Sequence, residues 1–168
     1  GVTETTTVSV IVDPVNDAPV TNVPAGQVTN EDAPLVLSNA NGNAITLADV
    51  DGDTLTVTLS GTNGALTLGT VAGVTVSGNG TGTVTVSGSA AAITSALNGL
   101  SFAPTADYNG LAGITVTTTD GNVTTSSTIG ITVNPVVDIV ADTVSTNEDD
   151  PVTINVLAND SFESPAAA

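Results

Sequence analysis

Three carboxylates carry the most distinctive chemistry of this sequence: Asp49, Asp51 and Asp53 alternate along LADVDGDTLTV, residues 47–57. In extended backbone, alternate residues share a face, so neighbouring carboxylates are expected roughly 6–7 Å apart. Such a pair repels by about 2.5 kcal/mol at an effective dielectric of about 20, and by about 0.6 kcal/mol in bulk water. The cluster is tolerable when fully solvated and costly when partly buried without a cation. No cation comes from within, because the 168 residues include 17 acidic side chains and no Lys, Arg or His, a formal net charge of −17. Hard carboxylate oxygens at this density suit Ca²⁺, which accepts about 6–8 oxygens in flexible geometry, better than Mg²⁺, which demands a stricter octahedron. An EF-hand does not fit: with Asp49 at its first position, Thr54 stands where that loop needs Gly and Ser60 where it needs a bidentate Glu. Further ligands must come from distant segments.

The same composition excludes whole classes of function. A chain without a cationic side chain has no basic groove and no phosphate clamp, so neither nucleic acid nor an anionic membrane surface is expected as a partner. Without Cys there is no disulfide or thiolate metal site, and without Lys no Schiff base or Lys–Asn isopeptide link. General bases are usually His, and three aromatic residues, Phe102, Tyr108 and Phe162, make no platform for a sugar, so the chain is not expected to be an enzyme. A hydrophobic content of 40% still supplies a core, which argues for a folded chain rather than a disordered one. Phe102 and Tyr108, in FAPTADYNG, are expected to plug that core.

The elements that must position the aspartates are strands. TLTVTLS, GTVTVSG, GITVTTTD and STIGITV alternate apolar with hydroxyl residues, the period-two signature of half-buried β-structure. Turn signals, including Asn41-Gly42, Asn63-Gly64, Asn79-Gly80, Asn109-Gly110 and Asp120-Gly121, separate the runs at short spacing and imply an all-β sandwich. One segment, SAAAITSALNGL, has helical spacing and an Asn98-Gly99 stop, so a short helix is expected near residues 89–98.

Strand direction then sorts the acidic residues into two groups. A first strand over about residues 19–28 would carry the chain to the far end, and its return would bring DVDGD back to the near one. Asn16, Asp17, Asp49, Asp51, Asp53 and Asp120 are thus expected at an amino-terminal junction. Glu31, Asp32, Asp107, Asn109, Asn134, Asp138 and Asp160 are expected at a carboxy-terminal one. The competing explanation is that Asp and Asn are simply good turn residues on a solvated acidic surface.

The ends of the sequence repeat each other: VDPVND at 12–17 matches VNPVVD at 133–138, and NEDAPLVL at 30–37 matches NEDDPVTI at 147–154. A period of that size is one sandwich domain. Residues 1–16 are read as the last strand of a preceding repeat, 17–137 as a complete repeat and 138–168 as the start of a third, the whole cut from a tandem array. Together with DVDGDTLTVT, ALNGLSFAPTADYNG and VLAND, these motifs resemble the cadherin-like, immunoglobulin-like tandem repeats in the extender regions of large bacterial surface adhesins, including biofilm-associated and RTX adhesins. The resemblance spans most of the chain. It implies a Greek-key β-sandwich, an extracellular location at the bacterial surface, and calcium shared between neighbouring repeats as the stiffening element of a spacer. The sequence departs from the RTX pattern in having no Gly-Gly-x-Gly-x-Asp run.

Two other readings stay open. A ligand-binding module would recognise a glycan or protein through calcium on the Gly- and Asn-rich stretch 61–82, expected as a loop. A filament subunit would place TTTVSVIV of one copy in the sheet of another.

Overall fold

The computed structural model describes residues 1–137, 139, 141–156 and 160. Among them the fold is all-β with one short helix. Its strands are β1 (Val20–Asn22), β2 (Gln27–Asn30), β3 (Leu35–Leu37), β4 (Thr46–Ala48), β5 (Leu55–Thr62), β6 (Gly64–Thr67), β7 (Thr75–Ser77), β8 (Thr83–Gly88), β9 (Leu100–Pro104), β10 (Gly110–Thr119) and β11 (Thr124–Asn134), with helix α1 (Ala90–Leu97) before β9. They form a six-stranded sheet in the order β2-β11-β10-β5-β8-β7, a three-stranded sheet β3-β9-β6 and the pair β1-β4.

Alternation decides what each strand contributes. In β5 the apolar Leu55, Val57 and Leu59 are fully buried while Thr56, Thr58 and Ser60 turn to the other face. Val84 and Val86 of β8, Ile114 and Val116 of β10, and Ile129, Ile131 and Val133 of β11 join them on the inner face. Leu37, Leu66, Leu100 and Phe102 oppose them from the three-stranded sheet, and all belong to one buried cluster, a sandwich-like arrangement. Phe102 is fully buried, and Tyr108 packs against the same cluster while its hydroxyl donates to Leu111 O at 2.5 Å.

The helix lies where its spacing places it. Ser89 caps it, accepting from Ala92 N at 3.3 Å, and Gly99 ends it at a φ of +96° that favours glycine. Ile93, Ala96 and Leu97 face the core, and Thr94 Oγ1 accepts from Leu47 N at 3.0 Å, which docks the helix on β4.

One expectation needs correction. The single strand over 19–28 is two: Val23, Pro24, Ala25 and Gly26 intervene, and β1 pairs antiparallel with β4 while β2 pairs parallel with β11. Pro24 has no N–H for a ladder, which makes the break there natural. Residues 1–19 form no strand despite their alternation, and Val8, Val10 and Val12 are 80%, 78% and 82% exposed. Alternation makes a segment fit for a sheet, but a strand also needs a neighbour to bond.

Residues 61–82 are part strand and part turn: they hold the end of β5, β6, β7 and the bridge between Leu66 and Thr81, with 68–74 and 78–80 connecting them. The glycines there serve close packing: a Cβ on Gly64 would stand 2.5 Å from the Phe102 ring, and one on Gly69 would stand 2.2 Å from Asn98 O.

Candidate metal centre

The DVDGD stretch joins β4 to β5, and it is a turn rather than extended backbone. Asp49 Oδ1 accepts from Gly52 N at 3.0 Å and from Asp53 N at 3.4 Å, folding the chain back on itself. Gly52 takes a φ of +74°, a conformation that glycine adopts without the steric cost of a Cβ. The alternating aspartates therefore converge more tightly than a strand would allow, with one carboxylate oxygen from each within 4.8 Å of the others. At that separation an unscreened pair repels by about 3.5 kcal/mol at a dielectric of about 20, falling to about 0.9 in bulk water. Asp49 is the inner member: its Oδ2 is buried and accepts no hydrogen bond. A buried acceptor left unpaired costs about 1–3 kcal/mol, and more when charged.

The incoming chain closes over this turn. Asp17 N donates to Asp51 Oδ2 at 2.7 Å, so Asp17 joins through its backbone donor and its carboxylate is not part of the converging group. Asn16 Nδ2 donates to Asp120 Oδ2 at 3.0 Å, and Asn122 Nδ2 donates to Asn16 Oδ1 at 2.8 Å. An open cleft of about 350 Å³ remains between linker and turn, lined by Pro14, Val15, Asn16, Asp51 and Asp53. Strand register explains the meeting: Val20 pairs with Ala48, next to Asp49, and Thr119, next to Asp120, pairs with Thr56.

Asp120 belongs to this end but has a different occupation. Its Oδ1 accepts from Val123 N at 2.6 Å and Asn122 N at 2.7 Å. The Val123 N–H, the Asn16 amide and the Asn122 N–H together hold its pKa below the ordinary 3.8. Asn122 was not among the residues expected here; its signal is the Asp120-Gly121-Asn122 turn, which returns a polar side chain to the strand end that carries Asp120.

The residues assigned to the other junction behave differently. Glu31 is 3% exposed, its Oε1 accepts from Val136 N and its own N–H donates to Asn134 O at 2.9 Å. Asn134 Nδ2 reaches Asn30 Oδ1 at 3.4 Å, and Asp107 N reaches Asp32 Oδ1 at 3.4 Å. Asp32 and Asp107 both adopt positive φ, at 57° and 58°, as turn residues do. Asn109 immediately precedes β10, and Asp160 is half-buried beyond the sheets. Asp138 lies outside the described residues. Among the described residues, Asp49, Asp51 and Asp53 are the one group of three or more carboxylates that could hold a metal ion. The donor set of the triad is all hard oxygen, suited to Ca²⁺ or Mg²⁺ and not to softer metals. Among the described residues, no helix is long and apolar enough to cross a membrane. No protein-family model matches the chain, and no curated protein or solved structure matches it.

Proposed function

We propose that this chain is a calcium-stiffened spacer repeat of a large bacterial surface adhesin, a Greek-key sandwich of the cadherin-like or immunoglobulin-like kind working outside the cell. Its partners are the neighbouring repeats of the same protein, and its ion is held by Asp49, Asp51 and Asp53. The observation that carries the reading is a junction geometry: three carboxylate oxygens within 4.8 Å sit on a turn bonded, through Asp51, to the linker at Asp17. A cation there offsets the mutual repulsion and fixes the linker through the turn it grips. Its role is mechanical.

Thermal melting in millimolar calcium and in chelator, with solution scattering of the same chain, tests the proposal. Calcium should raise the melting temperature and narrow the spread of orientations of residues 1–16. Identical melting and scattering in both conditions would sink it.

A strand-exchanging filament subunit is the second reading. It is favoured by the exposure of Val8, Val10 and Val12, whose alternation fits them for a sheet. Concentration-dependent assembly in calcium would support it over the spacer.

A further inference from the structure

We propose that the outer face of the six-stranded sheet is a docking surface for the same face of a second copy of this chain. The proposal goes beyond the spacer reading and does not depend on the metal centre. Alternation turns every second residue of β5, β8, β10 and β11 away from the core, and the register lines those residues up across the strands. One such row runs Ser126, Thr117, Thr58, Thr85 and Ser77, from β11 to β7. No strand of this sheet contains an acidic residue, so a chain of net charge −17 presents here a broad surface with no charge on it. Two such copies repel wherever their strand ends meet. Face to face, their carboxylates stay in the connections and terminal segments, away from the contact.

The hydroxyls are partly matched within the face. Thr56 Oγ1 donates to Ser87 Oγ at 3.3 Å, and Thr117 Oγ1 and Ser126 Oγ lie 3.5 Å apart. Hydroxyls bonded to each other lose less on leaving water than free ones, and the threonine methyls add apolar area. At the carboxy-terminal end of the face, Val28 and Leu111, 62% and 78% exposed, flank Thr132 in one row. The next row is Gly113 opposite Gly130, where the backbone lies bare and a Cβ on Gly130 would meet nothing within 4 Å. Two sheets can approach most closely there, with Val28 and Leu111 beside the gap as the apolar contact.

Shape selects the occupant. Strands rotate by about 20–25° from one to the next, so the face is twisted and a flat solid surface would touch only part of it. A second twisted sheet follows the face, packing about 30° across with side chains interleaved. Size sets the strength. Six strands about 4.8 Å apart and roughly 20 Å long give about 600 Å² per copy, or about 1,200 Å² for a pair, the lower limit of specific interfaces. A single copy should therefore pair weakly, and linked copies far more tightly through many such contacts.

Sedimentation equilibrium of the full chain in chelator, from about 10 μM to about 1 mM, tests this. The wild type should form dimers with Kd on the order of 10⁻⁴ M, and added salt should tighten them by screening the repulsion between two acidic copies. Thr117→Glu places a carboxylate within the face and should raise Kd at least about tenfold. Ala91→Glu adds the same charge on the exposed side of α1 and should leave Kd within about twofold. Leu111→Ser, at a side chain too exposed to matter for folding, should raise Kd about fivefold and decides the matter should Thr117→Glu fail to fold. A wild type that stays monomeric throughout, or equal effects of Thr117→Glu and Ala91→Glu, would overturn the proposal. Assembly that neither Thr117→Glu nor Leu111→Ser alters would overturn it too, and would leave the strand-exchange reading standing.

Discussion

The two ends of the molecule use the same residue types for different work. At the amino-terminal end, Asp49, Asp51 and Asp53 crowd three carboxylates onto one turn, and the nearby linker reaches them with a single backbone donor, Asp17 N. At the carboxy-terminal end, Glu31 is buried and committed to the backbone: it holds Val136 N and Asn134 O within the protein. The first arrangement concentrates charge that only an outside cation can neutralise. The second commits Glu31 Oε1 and the Glu31 N–H to the backbone of the exit segment. Clustering of acidic residues at strand ends thus marks two arrangements, one of converging carboxylates and one of a single carboxylate bonded through Oε1 to the neighbouring backbone.

The sharpest way to break that contrast is Glu31→Ala. Removing a buried charged acceptor and leaving Val136 N to find another should cost about 3 kcal/mol in chemical denaturation, equally with and without calcium. A calcium-dependent loss would place Glu31 in the metal site and erase the distinction between the ends.

Next in size are the triad aspartates. Asp51→Asn removes one charge but keeps an oxygen to accept from Asp17 N, so the metal-free protein should gain about 1 kcal/mol from relieved repulsion while any stabilisation by calcium shrinks. Melting curves in chelator and in calcium check both signs, and a loss of stability in chelator would mean that the charges do not strain the turn.

The reach of sequence alone can be judged at the same two ends. Alternation in LTVTLS and the Asn98-Gly99 stop suffice to place β5 and the helix, because burial on one face and helix termination are local properties. Strand direction likewise suffices to bring DVDGD, Asn16 and Asp120 to one end. The compactness of the triad was not legible in the same way. Alternating aspartates read as a strand face, whereas Gly52 and the bonds accepted by Asp49 Oδ1 make a turn of them. Gly52 was the available signal. The burial of Glu31 had no local signal at all, since it depends on the parallel approach of β11, which lies about a hundred residues along the chain. The parallel pairing itself depends on the break at Pro24, visible only once β1 and β2 are seen to join different sheets.

Acid titration sharpens the amino-terminal end further. Asp120 has its pKa lowered by the Val123 N–H, the Asn16 amide and the Asn122 N–H, so its charged form is favoured in the folded state. Its contribution is present above the unfolded value near 3.8 and is lost as pH falls through the lower folded value. Asp120→Asn should therefore differ from wild type at neutral pH and converge on it in acid. Denaturation midpoints measured down that range would show the difference closing, and a constant offset would contradict the assigned cause. Smallest of all, Asn16→Ala removes exposed bonds to Asp120 and from Asn122, and should cost about 0.5 kcal/mol while partly restoring the ordinary pKa of Asp120 by NMR titration. An unchanged pKa would show that the turn bonds alone hold Asp120 ionised.

Calorimetric calcium titration of the wild-type chain beside the Asp49→Asn, Asp51→Asn, Asp53→Asn triple variant tests the central claim most directly. The wild type should bind saturably with Kd on the order of 10⁻⁴–10⁻³ M, and the triple variant should give no binding heat. Equal binding by both, or none by the wild type, would contradict a metal junction at this turn.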